Sequence, residues 1–368
     1  MSVLNRDDAN GADADRLLAD AAHAADGARA RLATALADLF LPGDTRLTDQ
    51  QRISMTRILG GLVMAVEDEF RGRLVDAMGD AATPELTAAL VTARIEIAAP
   101  ILERSRVLHD GELVAILLRR ADEHRLTTAL QRSGEGRDEG SRLIDRLLAH
   151  ENTSVAGGAM ALLVAESRRH DRFGEPVLAR TDLPAELQHH MAWWVAAALR
   201  DYLVERHAID PLVADRPLVT VATTMLAAYD EGETLEGRAF DLACRLRSVD
   251  ELDDMLLVEA ANEGRLALLA AALALRAGID GASAWEMLVD TAGSRLAVLL
   301  RAIDCSREMA GAIMLRLTIA DHRSEAELAD NLDAFDLLPI EQAREALRPW
   351  RLDSDYRRAI AALAAGEK

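Results

Sequence analysis

Apolar residues recur along most of this chain at the three- to four-residue intervals of amphipathic helices. One such run begins after Thr48 and Gln51, which occupy the two positions of a capping box and so predict the start of a helix. The residues that follow at helical spacing predict a face made of Ile53, Ile58, Leu62, Val66 and Phe70. Similar patterns predict a helix over residues 13–40 and a series of helices from residue 84 to residue 365.

Short stretches in the first half of the chain resemble one another. The stretch from Pro100 to Ser105 (PILERS) is echoed by Thr128 to Ser133 (TALQRS) and by Pro176 to Thr181 (PVLART). A helix start follows both the first copy and the third. Helix pairs that repeat on this scale are typical of stacked-helix solenoids, in which each pair buries its apolar face against the next. The repetition therefore predicts HEAT-like helical repeats in the N-terminal half.

Composition and two prolines complete the predicted architecture. Hydrophobic residues make up 50% of the chain but aromatic residues only 3%, and a core of Ala and Leu favours helices over strands. Pro211 and Pro217 bracket a polar stretch that predicts a domain boundary. We therefore predict an all-α fold with a disordered N-terminus over residues 1–12, a helical-repeat domain over 13–210 and a C-terminal helical bundle over 211–368.

The charge balance narrows the range of partners. The chain has 62 acidic and 42 basic residues, for a net charge of −20. A field of this sign repels polyanions, which argues against nucleic acid as a partner. Three further features predict a cytoplasmic protein. The two cysteines lie in apolar runs, the N-terminus lacks a signal-peptide pattern, and no apolar run is long enough for a membrane span. No motif in the sequence requires a cofactor.

Three parts of the sequence together resemble a known family. They are the stretches Val66–Arg71 with Arg94–Ser105, Leu183–Leu187 with Met191–Leu199, and Glu263–Leu273 with Leu296–Leu300 and Ser306. In combination they are similar to an uncharacterised, mainly alphaproteobacterial family, domain of unknown function 2336, over about residues 50 to 320. The resemblance implies an all-helical fold and brings no catalytic residues to this chain.

Several histidines stand beside carboxylates. His109-Asp110 and His170-Asp171 have the pairing that helical metal phosphohydrolases use to hold two cations. His150-Glu151 resembles the start of a phospho-acceptor motif, in which an acidic neighbour activates the imidazole. Asp110, however, stands where it would cap a helix, and His150 is followed by a second helix start. We therefore favour structural roles for all three pairs.

Basic residues recur near the ends of the predicted repeats. Seven arginines could line one groove of a stacked solenoid and bind phosphate or carboxylate groups: Arg104, Arg106, Arg119, Arg120, Arg125, Arg168 and Arg169. The alternative is a solvated face paired with the abundant Asp and Glu. Trp194 ends the motif from Gln188 to Trp194 and is a candidate for the rim of a binding pocket, whereas Trp193 is expected in the core.

These observations favour a non-enzymatic scaffold or adaptor that binds an unknown protein partner through a helical-repeat groove, in a setting such as bacterial signalling. The helix from Ile53 to Phe70 could also pair with its twin in a homodimer. The alternative is a sensor that binds an anionic small ligand, such as a nucleotide, through the arginines. A metal-dependent phosphohydrolase or a histidine phosphotransfer protein is the least favoured interpretation.

Overall fold

The computed structural model of this protein describes residues 13–22, 47–92, 95–134 and 142–353, together with residues 31, 35, 356, 357, 359, 360 and 363. Regular structure within these ranges is helical, and the one β-type contact there is an isolated bridge between His170 and Pro176. The all-α prediction is confirmed. The HEAT-like repeat arrangement stays a prediction. The predicted disorder of residues 1–12, and the predicted helix beyond residue 22, concern residues that mostly lie outside those described.

Seventeen helices are numbered here in chain order, and the first is described over residues 13–22. The others are α2 (Asp49–Met78), α3 (Pro84–Thr87), α4 (Ala98–Ser105), α5 (Gly111–Gly134), α6 (Leu143–Leu148), α7 (Thr153–Ser167), α8 (Ala185–His207), α9 (Pro211–Ala227), α10 (Leu235–Ser248), α11 (Asp254–Asn262), α12 (Leu266–Ala277), α13 (Gly281–Leu288), α14 (Ser294–Ala302), α15 (Arg307–Asp321), α16 (Glu325–Leu337) and α17 (Ile340–Ala346).

Contacts divide the chain into two compact units, each made of segments that are not consecutive. The α2 unit consists of residues 32–122 and 164–234, and the α12 unit consists of residues 1–31, 123–163 and 235–368. This division is not the one predicted near residue 210, because α9 (Pro211–Ala227) packs on α2 and α8. The prolines that suggested a boundary both lie in α9: Pro211 at its first turn after the cap Asp210, and Pro217 inside it with its ring buried.

The long helix α2 lies at the centre of its unit. The predicted capping box is present, since the Thr48 hydroxyl accepts from the Gln51 backbone N–H and the Gln51 side-chain Oε1 accepts from the Thr48 backbone N–H, each at 3.2 Å. The apolar side of α2, including Ile58 and Phe70, is buried against α4, α8 and α9. Ile53 is 56% exposed, because five residues before Ile58 correspond to a rotation of about 140° around the helix.

The α12 unit is built around an apolar helix. Nine of the twelve residues of α12 are buried, and α12 packs against α10, α11, α13 and α14. Gly264 and Gly278 have positive φ just after α11 and α12 and end these helices. None of the described helices is by itself long and apolar enough to cross a membrane, and α12 with α13 meets that test only as a pair bent by 115°.

Candidate functional site

One side of α8 presents four aromatic rings. His190 stacks on Trp194 with ring centroids 5.5 Å apart, and His189 meets Trp193 edge to face at 6.0 Å. Each pair is spaced by four residues, which places both members on the same side of a helix. The two imidazoles are exposed, while the two indoles are half-buried and pack against the core of the α2 unit. The helix therefore carries a surface that is aromatic and rigidly backed.

The opposite side of α8 explains why these rings stay at the surface. Leu187, Met191, Val195, Leu199 and Leu203 follow one another at helical spacing and are buried. They fix the rotation of the helix, so the rings are directed away from the core. Trp194 is half-buried at the edge of the core, and its place at the rim of a binding pocket stays a prediction. Trp193 was expected in the core, but it is also half-buried because it shares the solvent-facing side with His189.

This surface combines apolar indole area with imidazole hydrogen-bonding groups. Trp is among the residues most enriched where a partner binds, because it offers a large apolar area at a low cost in side-chain entropy. Adjacent histidines diverge around a helix, and the rings of His189 and His190 are 6.4 Å apart. Across the described part of the chain, no group of three or more His, Cys, Asp or Glu side chains could hold a metal ion.

Two of the predicted arginines, Arg120 and Arg169, are buried in the α2 unit. Their guanidinium groups contact backbone carbonyl oxygens and a carboxylate. Arg120 donates to the carbonyl oxygen of Val177 at 3.0 Å and to that of Arg169. Arg169 in turn pairs with Asp182 at 3.1 Å. The structure therefore brings Arg120 and Arg169 together. Arg120 fastens the segment after α7 to α5, and the Arg169–Asp182 pair joins two parts of that segment, so both arginines have a structural role.

The remaining predicted arginines occupy varied surroundings. Arg104, Arg106 and Arg168 are exposed, and Arg104 donates to the carbonyl of Pro100 within its own helix. Arg119 is half-buried, and Arg125, which belongs to the α12 unit, pairs with Asp321 at 2.6 Å. Neither of the two cavities described in the protein is lined by any arginine of the predicted set. A ligand site made of these arginines stays a prediction.

The histidine–carboxylate pairs have structural contacts. The Asp110 carboxylate accepts from the N–H groups of Glu112 and Leu113 and so caps α5, as predicted. His150 follows α6 rather than lying on an exposed helix. Its Nε2 is 2.9 Å from Glu251, and its Nδ1 accepts from the Asn152 N–H.

Asp171 organises a hairpin between His170 and Pro176. It accepts from the N–H groups of Phe173 and Glu175, and the bond from Glu175 is the largest cause that lowers the pKa of this carboxyl. These bonds define a rigid turn whose tip carries Phe173.

The cysteines lie in different surroundings. Cys305 is buried, and Cys244 is half-buried. Burial raises the pKa of the Cys305 thiol to about 12, and the neighbouring Asp254 carboxylate adds to this shift. Burial by itself would raise the pKa of Asp254, but hydrogen bonds from the Ser306 N–H and from Arg276 outweigh it and lower that pKa. Cys305 is therefore a protonated core thiol.

A groove beside α2 was not foreseen from the sequence. It encloses about 540 Å³ in the α2 unit. At its base the buried Glu67 accepts from the N–H groups of Ile97 and Ala98 at the start of α4, and Arg71 pairs with Glu67 and donates to the Ile95 carbonyl. In the sequence, the four-residue spacing of Glu67 and Arg71 was the pattern that could have indicated this ion pair on α2. The walls carry Met64, Asp68, Gly72, Leu90, Val91 and Glu96.

The fold and this surface define an all-helical protein of two compact units. The chain belongs to a bacterial family described as "uncharacterised protein conserved in bacteria" (DUF2336), whose model matches residues 136–348. The matched range includes the rings of α8 and two of the three parts of the sequence on which the resemblance rests. The first part, with Val66–Arg71, precedes it. Neither the curated proteins nor the solved structures contain a match to the chain.

Proposed function

We propose that this protein is a non-enzymatic bacterial adaptor that binds a protein partner through the ring surface of α8, defined by His189, His190, Trp193 and Trp194. The observation that supports this most is the pairing of two exposed imidazoles with two half-buried indoles on one helix side. Preformed aromatic surfaces of this kind lose little entropy when a partner binds. The buried, protonated Cys305 is compatible with the cytoplasm and with a role in intracellular signalling.

The ring surface fits a partner helix or loop that combines apolar side chains with hydrogen-bond acceptors. The indole faces offer apolar contact, while imidazole N–H groups can donate to a carboxylate or carbonyl oxygen. Towards the C-terminal end of the same helix, Arg200 pairs with Asp215 of α9. That exposed ion pair joins the two helices, while the buried side of α8 fixes the orientation of the ring surface.

Site-specific crosslinking in the full-length protein tests this proposal. A photo-activated residue at position 190 should capture one distinct protein from the native bacterium, and the same residue at position 205 should not. Glu205 is exposed on α8 beyond the rings. We then expect His190→Ala and Trp194→Ala to reduce affinity for the purified partner at least about tenfold, with Glu205→Ala unchanged.

His190→Ala separates loss of contact from loss of folding, because His190 is exposed. Equal capture at positions 190 and 205, or a partner that binds both α8 variants as tightly as the wild type, would refute the assignment.

The sensor hypothesis depends on the arginines that remain accessible. Arg120 and Arg169 are fixed to backbone and carboxylate groups, so an anionic ligand would have to use the exposed guanidinium groups of Arg104, Arg106 and Arg168. A thermal-shift screen with nucleotides distinguishes the two proposals, since a ligand that binds the native state must raise Tm. A rise that Arg104→Ala abolishes and His190→Ala does not would favour the sensor.

A further inference from the structure

The side of α2 that faces away from the core is both apolar and glycine-rich. Ile53 is 56% exposed and Met64 is 48% exposed. Gly60, Gly61 and Gly72 share this side, and a Cβ atom added at any of them would meet nothing within 4 Å. Where exposed apolar side chains stand next to glycines on a helix, a second helix can approach closely. The outer side of α2 is therefore shaped to receive a helix.

The residues on this side are complementary to themselves when two copies of α2 run antiparallel. With a two-fold axis between positions 62 and 63, Ile53 of one copy faces Gly72 of the other, and Met64 faces Gly61. The same register places Arg57 opposite Asp68. The large side chains of one copy thus lie opposite glycines of the other, and the Arg57 cation lies opposite the Asp68 anion. Such self-complementarity is the requirement for an isologous two-fold interface.

A rigid projection stands beside the first half of α2. Phe173, at the tip of the hairpin that Asp171 organises, is 74% exposed, and the Arg172 guanidinium lies 4.7 Å from the centre of its ring. Arg57 pairs with Glu175, which fixes the hairpin next to α2. An exposed phenylalanine backed by an arginine and held in a tight turn has the character of an interface anchor.

The α2 groove, described above, opens beside the second half of the same helix. Asp68 follows Arg57 by eleven residues, so groove and hairpin are about 16 Å apart along α2 and on one side of it. Val91 and Ile95 give the groove exposed apolar walls, and the exposed carboxylates of Asp68 and Glu96 give it a negative rim. The apolar walls of the groove would therefore suit the Phe173 ring at the hairpin tip, and its negative rim would suit the Arg172 guanidinium group.

We propose that the occupant of this surface is a second copy of the chain. In this dimer the two α2 helices cross antiparallel between Gly61 and Met64, and the hairpin of each protomer enters the groove of its partner. Phe173 packs between Val91 and Ile95, and Arg172 meets Glu96. The interface does not involve the ring surface of α8, so the dimer and the adaptor function can be tested independently.

The first test is the mass of the full-length protein in solution, measured by light scattering and sedimentation. The wild type should be a dimer, and Gly61→Leu should be monomeric because the new side chain occupies the space of the facing Met64. Leucine is a better helix former than glycine, so this change does not weaken α2 itself. The matched control is Gly157→Leu, at an exposed position in α7 that also has open space.

The second test exchanges charges across the interface. Arg172→Glu and Glu96→Arg should each raise the dimer dissociation constant by more than about tenfold, since each places like charges in contact. Mixing the two variants restores an opposite-charge pair at both hairpins, so a mixed dimer should form. A monomeric wild type, a dimer insensitive to Gly61→Leu, or a mixture that stays monomeric would overturn the proposal.

Discussion

Single arginine side chains hold distant backbone segments together in both units. In the α2 unit Arg120 donates to the carbonyls of Val177 and Arg169. In the α12 unit the buried Arg316 donates to the carbonyls of Leu130 and Asn262. A guanidinium group has five donors in a fixed plane, so one side chain can satisfy carbonyls that no helix or sheet would pair. Part of the arginine content that suggested a ligand site therefore stabilises the fold.

The first prediction concerns Arg120. Arg120→Met keeps the apolar stem but removes the Arg120 donors, so the Val177 carbonyl oxygen loses its guanidinium partner and the Arg169 carbonyl oxygen keeps only the Val177 N–H. We expect the free energy of unfolding to fall by about 3 kcal/mol. Urea denaturation followed by circular dichroism measures the change. Arg104→Met, at an exposed position, should change it by less than about 0.5 kcal/mol. Equal effects of the two substitutions would contradict the structural role of Arg120.

At the scale of elements, local chemistry decides where many helices begin and end. Thr48, Asp110, Asp253, Ser306 and Ser324 cap helices by accepting N–H groups two or three residues ahead. These positions can be read from the sequence because both partners are close in the chain. The glycines that end α11 and α12 can be recognised in the same way, but their surroundings differ.

The second prediction compares these two glycines. Gly264 and Gly278 share a φ of +68°, but a Cβ at Gly264 would lie 3.1 Å from the Thr127 carbonyl oxygen of α5, while one at Gly278 would meet nothing within 4 Å. Ala at either position strains the backbone by about 1 kcal/mol. Only Gly264→Ala also pushes α5 away. We expect it to lower Tm clearly more than Gly278→Ala, and equal shifts in differential scanning calorimetry would show that this close approach is unimportant.

At the scale of the whole molecule, each unit is assembled from segments that are far apart in the sequence. The α2 unit needs α9, whose buried residues Leu218, Val221 and Met225 cover α2 and α8. A cut after residue 210 therefore removes part of a core rather than separating two domains. The composition shift near residue 210 marks the start of α9, a helix that belongs with what precedes it.

The third prediction tests this organisation with two fragments. Residues 1–210 lack α9 and should expose the apolar sides of α2 and α8, so we expect dye binding, aggregation and no cooperative thermal transition. Residues 1–234 restore α9 and should regain protection of α2 and α8 against limited proteolysis. If both fragments unfold with the same cooperative transition, the assignment of α9 to the α2 unit is wrong.

The sequence by itself determined the helical fold class, the helix caps at Thr48 and Asp110, and the family. These features depend on residues two to five apart, and helical periodicity makes such relations visible. Tertiary structure decided which arginines are buried, which segments form each unit, and that Glu67 and the residues around it form a groove. Arg120 and Val177 are 57 residues apart, and no local pattern specifies a contact over that distance, since it depends on how the helices pack.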